Sequence, residues 1–143
     1  MIRFFAEGVP APQGSKRHLG GGILVESSKR VKPWRTDVRA AAQDARGDLA
    51  PLTGPVHVEI EFRFPRPKGH FGTGRNSDRL RPAAPRTHIG KPDLDKLARA
   101  ILDACTGVLW VDDSQVITLL ARKRYVESPA LPGALILVDG VGA

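Results

Sequence analysis

Apolar and polar residues alternate most cleanly from Val56 to Phe64, where Val56, Val58, Ile60, Phe62 and Phe64 interleave with His57, Glu59, Glu61 and Arg63. A period of two marks a strand with one face in a core and the other wet or set against a partner. Ser114 to Tyr125 is the second long strand pattern, and there Val116, Thr118 and Leu120 alternate with Ile117, Leu119 and Ala121. Both of its faces are largely apolar, which predicts a central place in the sheet. Ile2–Gly8, Ile23–Glu26 and Ala134–Val138 read as shorter strands. Helical spacing occurs twice. Pro33 opens a helix to about Arg46, with Trp34, Val38, Ala41, Ala42 and Ala45 on its buried stripe. Leu94, Leu97, Ala98, Ile101, Leu102 and Cys105 share one face of a helix that begins around Asp95 and stops at Gly107. The segments between, Val9–Gly22 and Pro65–Gly90, are rich in Pro and Gly and predict loops, the second expected to be mobile without nucleic acid. The sum is an α/β (α+β) fold, one domain spanning residues 1–143, with a mixed sheet of about five strands and two main helices.

Charge narrows the function. Lys and Arg number 22 against 15 Asp and Glu, a net +7 that attracts polyanions, most simply nucleic acid. The cations cluster. Lys16 and Arg17 lie in the first loop, and Lys29, Arg30, Lys32 and Arg35 follow in quick succession. The long loop carries Arg66, Lys68, His70, Arg75, Arg79, Arg81, Arg86 and His88 against the single acid Asp78, and Lys91 follows it. Lys16, Arg17, Lys29, Arg30, Lys32, Arg35, Arg75, Arg79 and Lys91 are the expected contacts to DNA phosphates. Gly14-Ser15-Lys16 lacks the spacing of a phosphate loop, and Trp34 belongs to the core rather than to base stacking. His70 and His88 are members of a basic loop and need no metal. The single cysteine, Cys105, rules out an internal disulfide and fits a reducing cytoplasm. No apolar run approaches the roughly 20 residues of a membrane span, and the N-terminus lacks a signal-peptide layout.

Candidate chemistry concentrates between Lys91 and Val116. Asp93 and Asp95 stand just before the second helix, and Asp112 and Asp113 return after a short apolar run. That helix spans about 17 Å at 1.5 Å per residue. An extended Gly107–Asp113 covers about 20 Å, enough to run back along the helix and set Asp113 beside Asp93 and Asp95. Three carboxylates converging in a basic protein suggest a divalent-metal site facing a phosphate. Taken singly, each pair has a plainer reading: acids in a first helical turn cap it or complement its dipole, and Asp-Asp before a strand is a turn.

The residues Asp93-Leu94-Asp95, Arg99, Asp103 and Asp112-Asp113-Ser114-Gln115-Val116 resemble the D-L-D-N-L-x-K-x-x-x-D and D-D-x-Q-[IV] segments of the RusA family of Holliday-junction resolvases. Pro10–Arg17 and Ser27–Arg35 are similar to family members more weakly, so the likeness covers most of the chain. It implies a homodimeric, Mg²⁺-dependent endonuclease, with Mn²⁺ the alternative ion, that cuts four-way DNA in recombination and repair and leaves a 5′ phosphate. It implies Asp93, Asp95 and Asp113 as metal ligands, with Asp112 the neighbouring alternative. The family lysine falls on Arg99 and the family asparagine on Lys96, and both are expected to stabilise charge on the phosphate. Arg99 keeps the positive charge but cannot carry a proton at neutral pH; its plainer role is an ion pair with Asp95 four residues back. The strand Val56–Phe64 is one candidate dimer surface, and the sequence leaves open which surface is used. Two rival readings are a non-catalytic nucleic-acid binder and a nuclease that prefers flaps or forks.

Overall fold

The computed structural model describes residues 1–14, 16–18, 24–26 and 29–142. Ser15, the glycine run at 20–22, Ile23 and Ser27 lie outside the described residues, as do the side chains of Lys16 and Arg17. In chain order the elements are β1 (Ile2–Glu7), β2 (Lys16–His18), β3 (Leu24–Glu26), α1 (Val31–Arg46), β4 (Val56–Pro65), α2 (Leu94–Cys105), β5 (Val116–Val126) and β6 (Gly133–Gly140). Four strands form one mixed sheet in the order β1-β6-β4-β5, antiparallel except for the parallel β4–β5 pair. The expected sheet of about five strands is thus four, with β2, inside the predicted 9–22 loop, paired apart with β3, on the predicted strand at 23–26.

Both helices cover the same face of the sheet. Val56, Val58, Ile60, Phe62 and Phe64 of β4 and Ala134, Ile136 and Val138 of β6 are buried there, against Trp34, Val38 and Ala42 of α1 and Leu97, Ala98, Ile101 and Cys105 of α2. Trp34 is a core residue, closed to base stacking. Burial of this many aliphatic and aromatic side chains, each contributing about 1.5–3 kcal/mol, drives the packing.

The other face of the sheet is open. Glu61 on that face is nearly buried because three arginines, Arg63, Arg122 and Arg124, close on its carboxylate at 2.9, 3.1 and 3.0 Å. Burial alone would raise its pKa; the hydrogen bond from Arg63 and the neighbouring guanidinium charges bring it below the ordinary range.

Two expectations are overturned. β5 is an edge strand, not a central one: among the described residues its partner in the sheet is β4 alone. Its apolar character on both faces is spent on exposure, with Ile117, Leu119 and Leu120 at 62%, 43% and 61%. The centre is taken by β4 and β6, whose alternating apolar faces match across the register Val58↔Val138 and Ile60↔Ile136. The long 65–90 segment is also more structured than its composition suggests. Short turns of helix at Lys68–His70 and Gly74–Asn76, a bridge between Phe71 and Leu80, and bonds from Gly72 N to Arg79 O (2.9 Å) and Arg81 N to His70 O (2.8 Å) fold it on itself. Arg66 ties it down from beneath, donating to Pro85 O at 2.7 Å and lying over the Tyr125 ring.

Candidate active site and nucleic-acid interface

Helix α2 starts where the sequence places it. Pro92 keeps the preceding backbone out of helix, Asp93 is the extended residue before the first turn, and Asp95 lies within that turn. Asp93 does not cap the helix with its side chain. Its carboxylate is instead held by two ammonium groups, Lys91 Nζ at 3.0 Å and Lys96 Nζ at 3.6 Å. The Lys91 hydrogen bond, with the charge of both lysines, keeps the Asp93 carboxyl below its usual range. Asp95 and Arg99 are both exposed, and among the described residues no ion pair joins them. The plainer role for Arg99 is therefore not taken up, and its guanidinium stands open to solvent one turn along from Asp95.

The approach to Asp93 is clamped from the sheet. Lys123 of β5 donates to the carbonyls of Gly90 and Pro92 at 2.6 and 2.8 Å. Nothing in the spacing of the sequence singled out this lysine, which reads as one of three cations ending a strand. Lys123→Met should cost about 1.5–3 kcal/mol in urea unfolding, the range for hydrogen bonds to a charged donor. Lys123→Arg should recover part of it. A loss under 0.5 kcal/mol would show the clamp to be idle.

The second acidic pair is built differently. Asp112 caps the short turn Asp113–Gln115, accepting from Ser114 N at 3.0 Å. The hydrogen bonds from Ser114 hold its carboxyl below the ordinary range. Gln115 completes the cap: its Oε1 accepts from Val111 N and Asp112 N, and its Nε2 donates to the Leu52 and Gly54 carbonyls at 2.8 and 2.9 Å. The glutamine of the D-D-x-Q segment is thus the peg that fixes this turn to the chain entering β4. Asp112 is occupied as a cap, while Asp113 stands exposed.

The two acidic groups lie at opposite ends of α2. The segment after the helix does not run back along it. It closes at once into a turn, with Leu109 N bonded to Cys105 O and Gly107 N to Trp110 O, then pairs with Leu52 through Leu52 N to Leu109 O and Val111 N to Leu52 O. Asp113 therefore sits at the start of β5, where Val116 pairs with Val56. The residues leading into Asp93 are instead held by Lys123, seven residues after Val116 and so roughly 23 Å further along the strand. Among the described residues no three Asp, Glu, His or Cys side chains gather as a metal-holding group. The expected convergence is thus absent within one chain among the described residues, and the segment after α2 satisfies its backbone groups on Leu52.

Among the described residues the basic side chains sort into exposed and engaged. Lys29, Arg30, Lys32, Arg75 and Arg79 are exposed. Lys91 is exposed but paired with Asp93. Arg35 is drawn inward, donating to Gln13 Oε1 at 2.8 Å and lying 3.8 Å from Asp103, so it joins α1 to α2. Lys16 and Arg17 have backbone in β2, and their side chains are outside the described residues. His88 is buried between the Phe64 and Tyr125 rings, and burial pushes its imidazole pKa down. His70 packs edge-on to Tyr125. Both histidines are aromatic packing elements beneath the 65–90 segment. No helix among the described residues is long and apolar enough to cross a membrane.

The family model for endodeoxyribonuclease RusA matches residues 7–132 of the chain. A curated relative, the uncharacterized protein YqaN of Bacillus subtilis (strain 168), is 28% identical over 135 residues, covering 90% of each chain.

Proposed function

The chain belongs to the RusA endodeoxyribonuclease family, and from that premise we propose that it nicks four-way DNA junctions in recombination and repair, leaving 5′ phosphates. The observation that carries this reading is the start of α2, where the carboxylates Asp93 and Asp95 stand at the surface among the cations Lys91, Lys96 and Arg99. Acids that would hold a cation and bases that would meet a phosphate share the first two turns of α2 and the residues leading into them.

RusA-family nucleases are generally divalent-metal dependent, and Asp93, Asp95 and Asp113 are the proposed ligands for Mg²⁺ or Mn²⁺. Oxygen-only donors at the surface are the chemistry a hard dication takes. The three do not fit around one ion within a single chain, because α2 separates them, so no chemical step is assigned to the ion. The chain's own cations have clear tasks. Arg99 and Lys96 face the scissile phosphate and stabilise its developing negative charge. Arg99 acts only as a fixed charge, so proton movement falls to water. Lys29, Arg30, Lys32, Arg75 and Arg79 hold flanking phosphates, and Arg35 supports them by bracing α1 on α2. The working form is a homodimer, one site for each strand cut, acting in the cytoplasm.

Nicking of end-labelled four-way, fork, flap and linear DNAs, with and without Mg²⁺ or Mn²⁺, tests this. Metal-dependent cutting confined to branched DNA is expected. Preference for flaps or forks would move the substrate, and binding without any nicking would leave a non-catalytic DNA binder. Junction affinity should fall by about 10³-fold or more between 50 and 200 mM salt if six or more phosphates are neutralised. A flat salt response in gel shifts would contradict the phosphate-contact role of these lysines and arginines.

A further inference from the structure

We infer that a cleft beside the start of α2 receives one unstacked nucleobase of the bound DNA, with the phosphate of that nucleotide resting on Arg30 and Lys91. The inference rests on the reading of this surface as a DNA interface, and it adds a base-binding pocket to the phosphate contacts already assigned. The cleft holds about 320 Å³, at the small end of the roughly 300–1,000 Å³ of small-molecule sites. That size suits one flat group and excludes a duplex or a second protein.

The cleft opens off the carboxyl ends of the parallel strands β4 and β5, through Phe64, Pro65 and Tyr125, the end of an α/β sheet where ligands collect. Five of its twelve lining residues are proline: Pro10, Pro12, Pro65, Pro67 and Pro92. Each has its backbone φ fixed, so the walls are preformed and need little ordering when a ligand enters. The floor is aromatic. His88 lies between the Phe64 and Tyr125 rings, at centroid distances of 4.5 and 4.7 Å. Its Nδ1 is buried and has no hydrogen-bond partner among the described residues. An unmet polar atom at the floor of a cleft is satisfied by a ligand's polar edge, or by a water that the ligand traps. Among the described residues no acid lines the cleft, and its two cations, Arg30 and Lys91, are both exposed. An apolar recess with cations at its rim matches a nucleotide, whose base is flat and largely apolar on its faces and whose phosphate is an anion at one end.

Hydrogen bonds fix the cleft against the start of α2. Its wall at 9–12 is tied to the helix by Gln13 N, which donates to Lys96 O at 2.9 Å. Its wall at 91–92 is held from β5 by Lys123, through the Gly90 and Pro92 carbonyls. Lys91, on the rim, donates to Asp93 at 3.0 Å. A base seated in the cleft therefore belongs to a nucleotide next to the phosphate that Asp93 and Asp95 address. A base stacked within a duplex cannot enter such a recess. Extrusion costs least where pairing is already lost, and a branch point supplies such nucleotides. The cleft thereby favours branched over continuous DNA through residues of a single chain.

Junction binding without divalent metal tests this, because affinity is then read apart from cutting. Four-way junctions are prepared with a single abasic site, stepped through the nucleotides that flank the crossover. At one position, loss of the base should weaken binding by about 10-fold, the order expected for removing one base from the surface it packs on. At the other positions the change should stay within about two-fold. Val9→Trp, at an exposed position on the cleft, fills it from outside. This variant should bind the intact junction about as weakly as the parent binds the critical abasic one, with no further abasic penalty. Pro67→Trp, at another exposed lining position, repeats the test should Val9→Trp fail to fold. Abasic junctions that all bind the parent within about two-fold would overturn the inference, as would a penalty that the cleft-filling variants keep. Weaker binding by Arg30→Ala with no abasic penalty would make the cleft a phosphate contact only, and would also overturn it. A parent that binds no DNA would remove the DNA-interface reading itself. A parent that binds junctions but nicks nothing would remove only the nuclease reading, and the abasic scan would still decide the cleft.

Discussion

Asp95→Asn should lose nicking by about 10²–10³-fold or more while junction binding in gel shifts stays within about two-fold, a separation expected when a group acts on charge developed in the reaction rather than on affinity. Its surroundings make the test clean. Asp95 is exposed in the first turn of α2 and makes no ion pair among the described residues. Removing its charge gives up only the favourable interaction of an acid with the helix N-terminus, about 0.3–1 kcal/mol. The fold should therefore survive, and melting curves of parent and variant should nearly overlay. Asp93→Asn is a less direct probe, since it also releases Lys91 and Lys96 from their partner. Nicking retained by Asp95→Asn would remove this residue from the chemistry and leave the start of α2 as a DNA-contact surface.

The largest stability effect is expected at Trp110. The indole is fully buried, and its Nε1 donates to Thr106 Oγ1 at 2.9 Å. The backbone around it forms the knot that ends α2, with Gly107 N on Trp110 O and isolated bridges from Trp110 to Leu52 and to Thr106. Trp110→Ala should cost about 3–5 kcal/mol, the usual range for emptying a buried aromatic site. Because Val111 to Gln115 hang from this knot, the variant should also loosen the turn that presents Asp113. Denaturant unfolding gives the first quantity, and amide exchange at Asp112–Gln115 gives the second. A cost below about 1 kcal/mol would mean that the indole packs far less tightly than its burial indicates.

Much of the fold was legible where local pattern and tertiary demand agree. The strand at 56–64 is β4 to within one residue, because a strict period of two leaves only one face to bury. Helical spacing alone puts Leu97, Ala98, Ile101 and Cys105 on the inner stripe of α2, where they are buried, and Leu94 and Leu102 pack at its margin. The family, too, was visible in the spacing of two short acidic segments. Less legible were residues whose role depends on distant partners. Gln115 and Lys123 owe their positions to carbonyls of Leu52, Gly54, Gly90 and Pro92, and no spacing rule encodes those meetings. The 65–90 segment has loop composition because Gly and Pro dominate it, yet backbone hydrogen bonds and the Arg66–Tyr125 contact give it a defined shape.

By itself the sequence determined the types of the main elements, the basic character and the likeness to a nuclease family. Each of these follows from periodicity, charge or motif, properties of residues close together in the chain. Only the tertiary structure decided where β5 lies and how far Asp113 stands from Asp93. A strand apolar on both faces satisfies the hydrophobic effect equally well buried in mid-sheet or at an edge that meets another chain, and hydrogen bonding between partners remote in sequence selects between them.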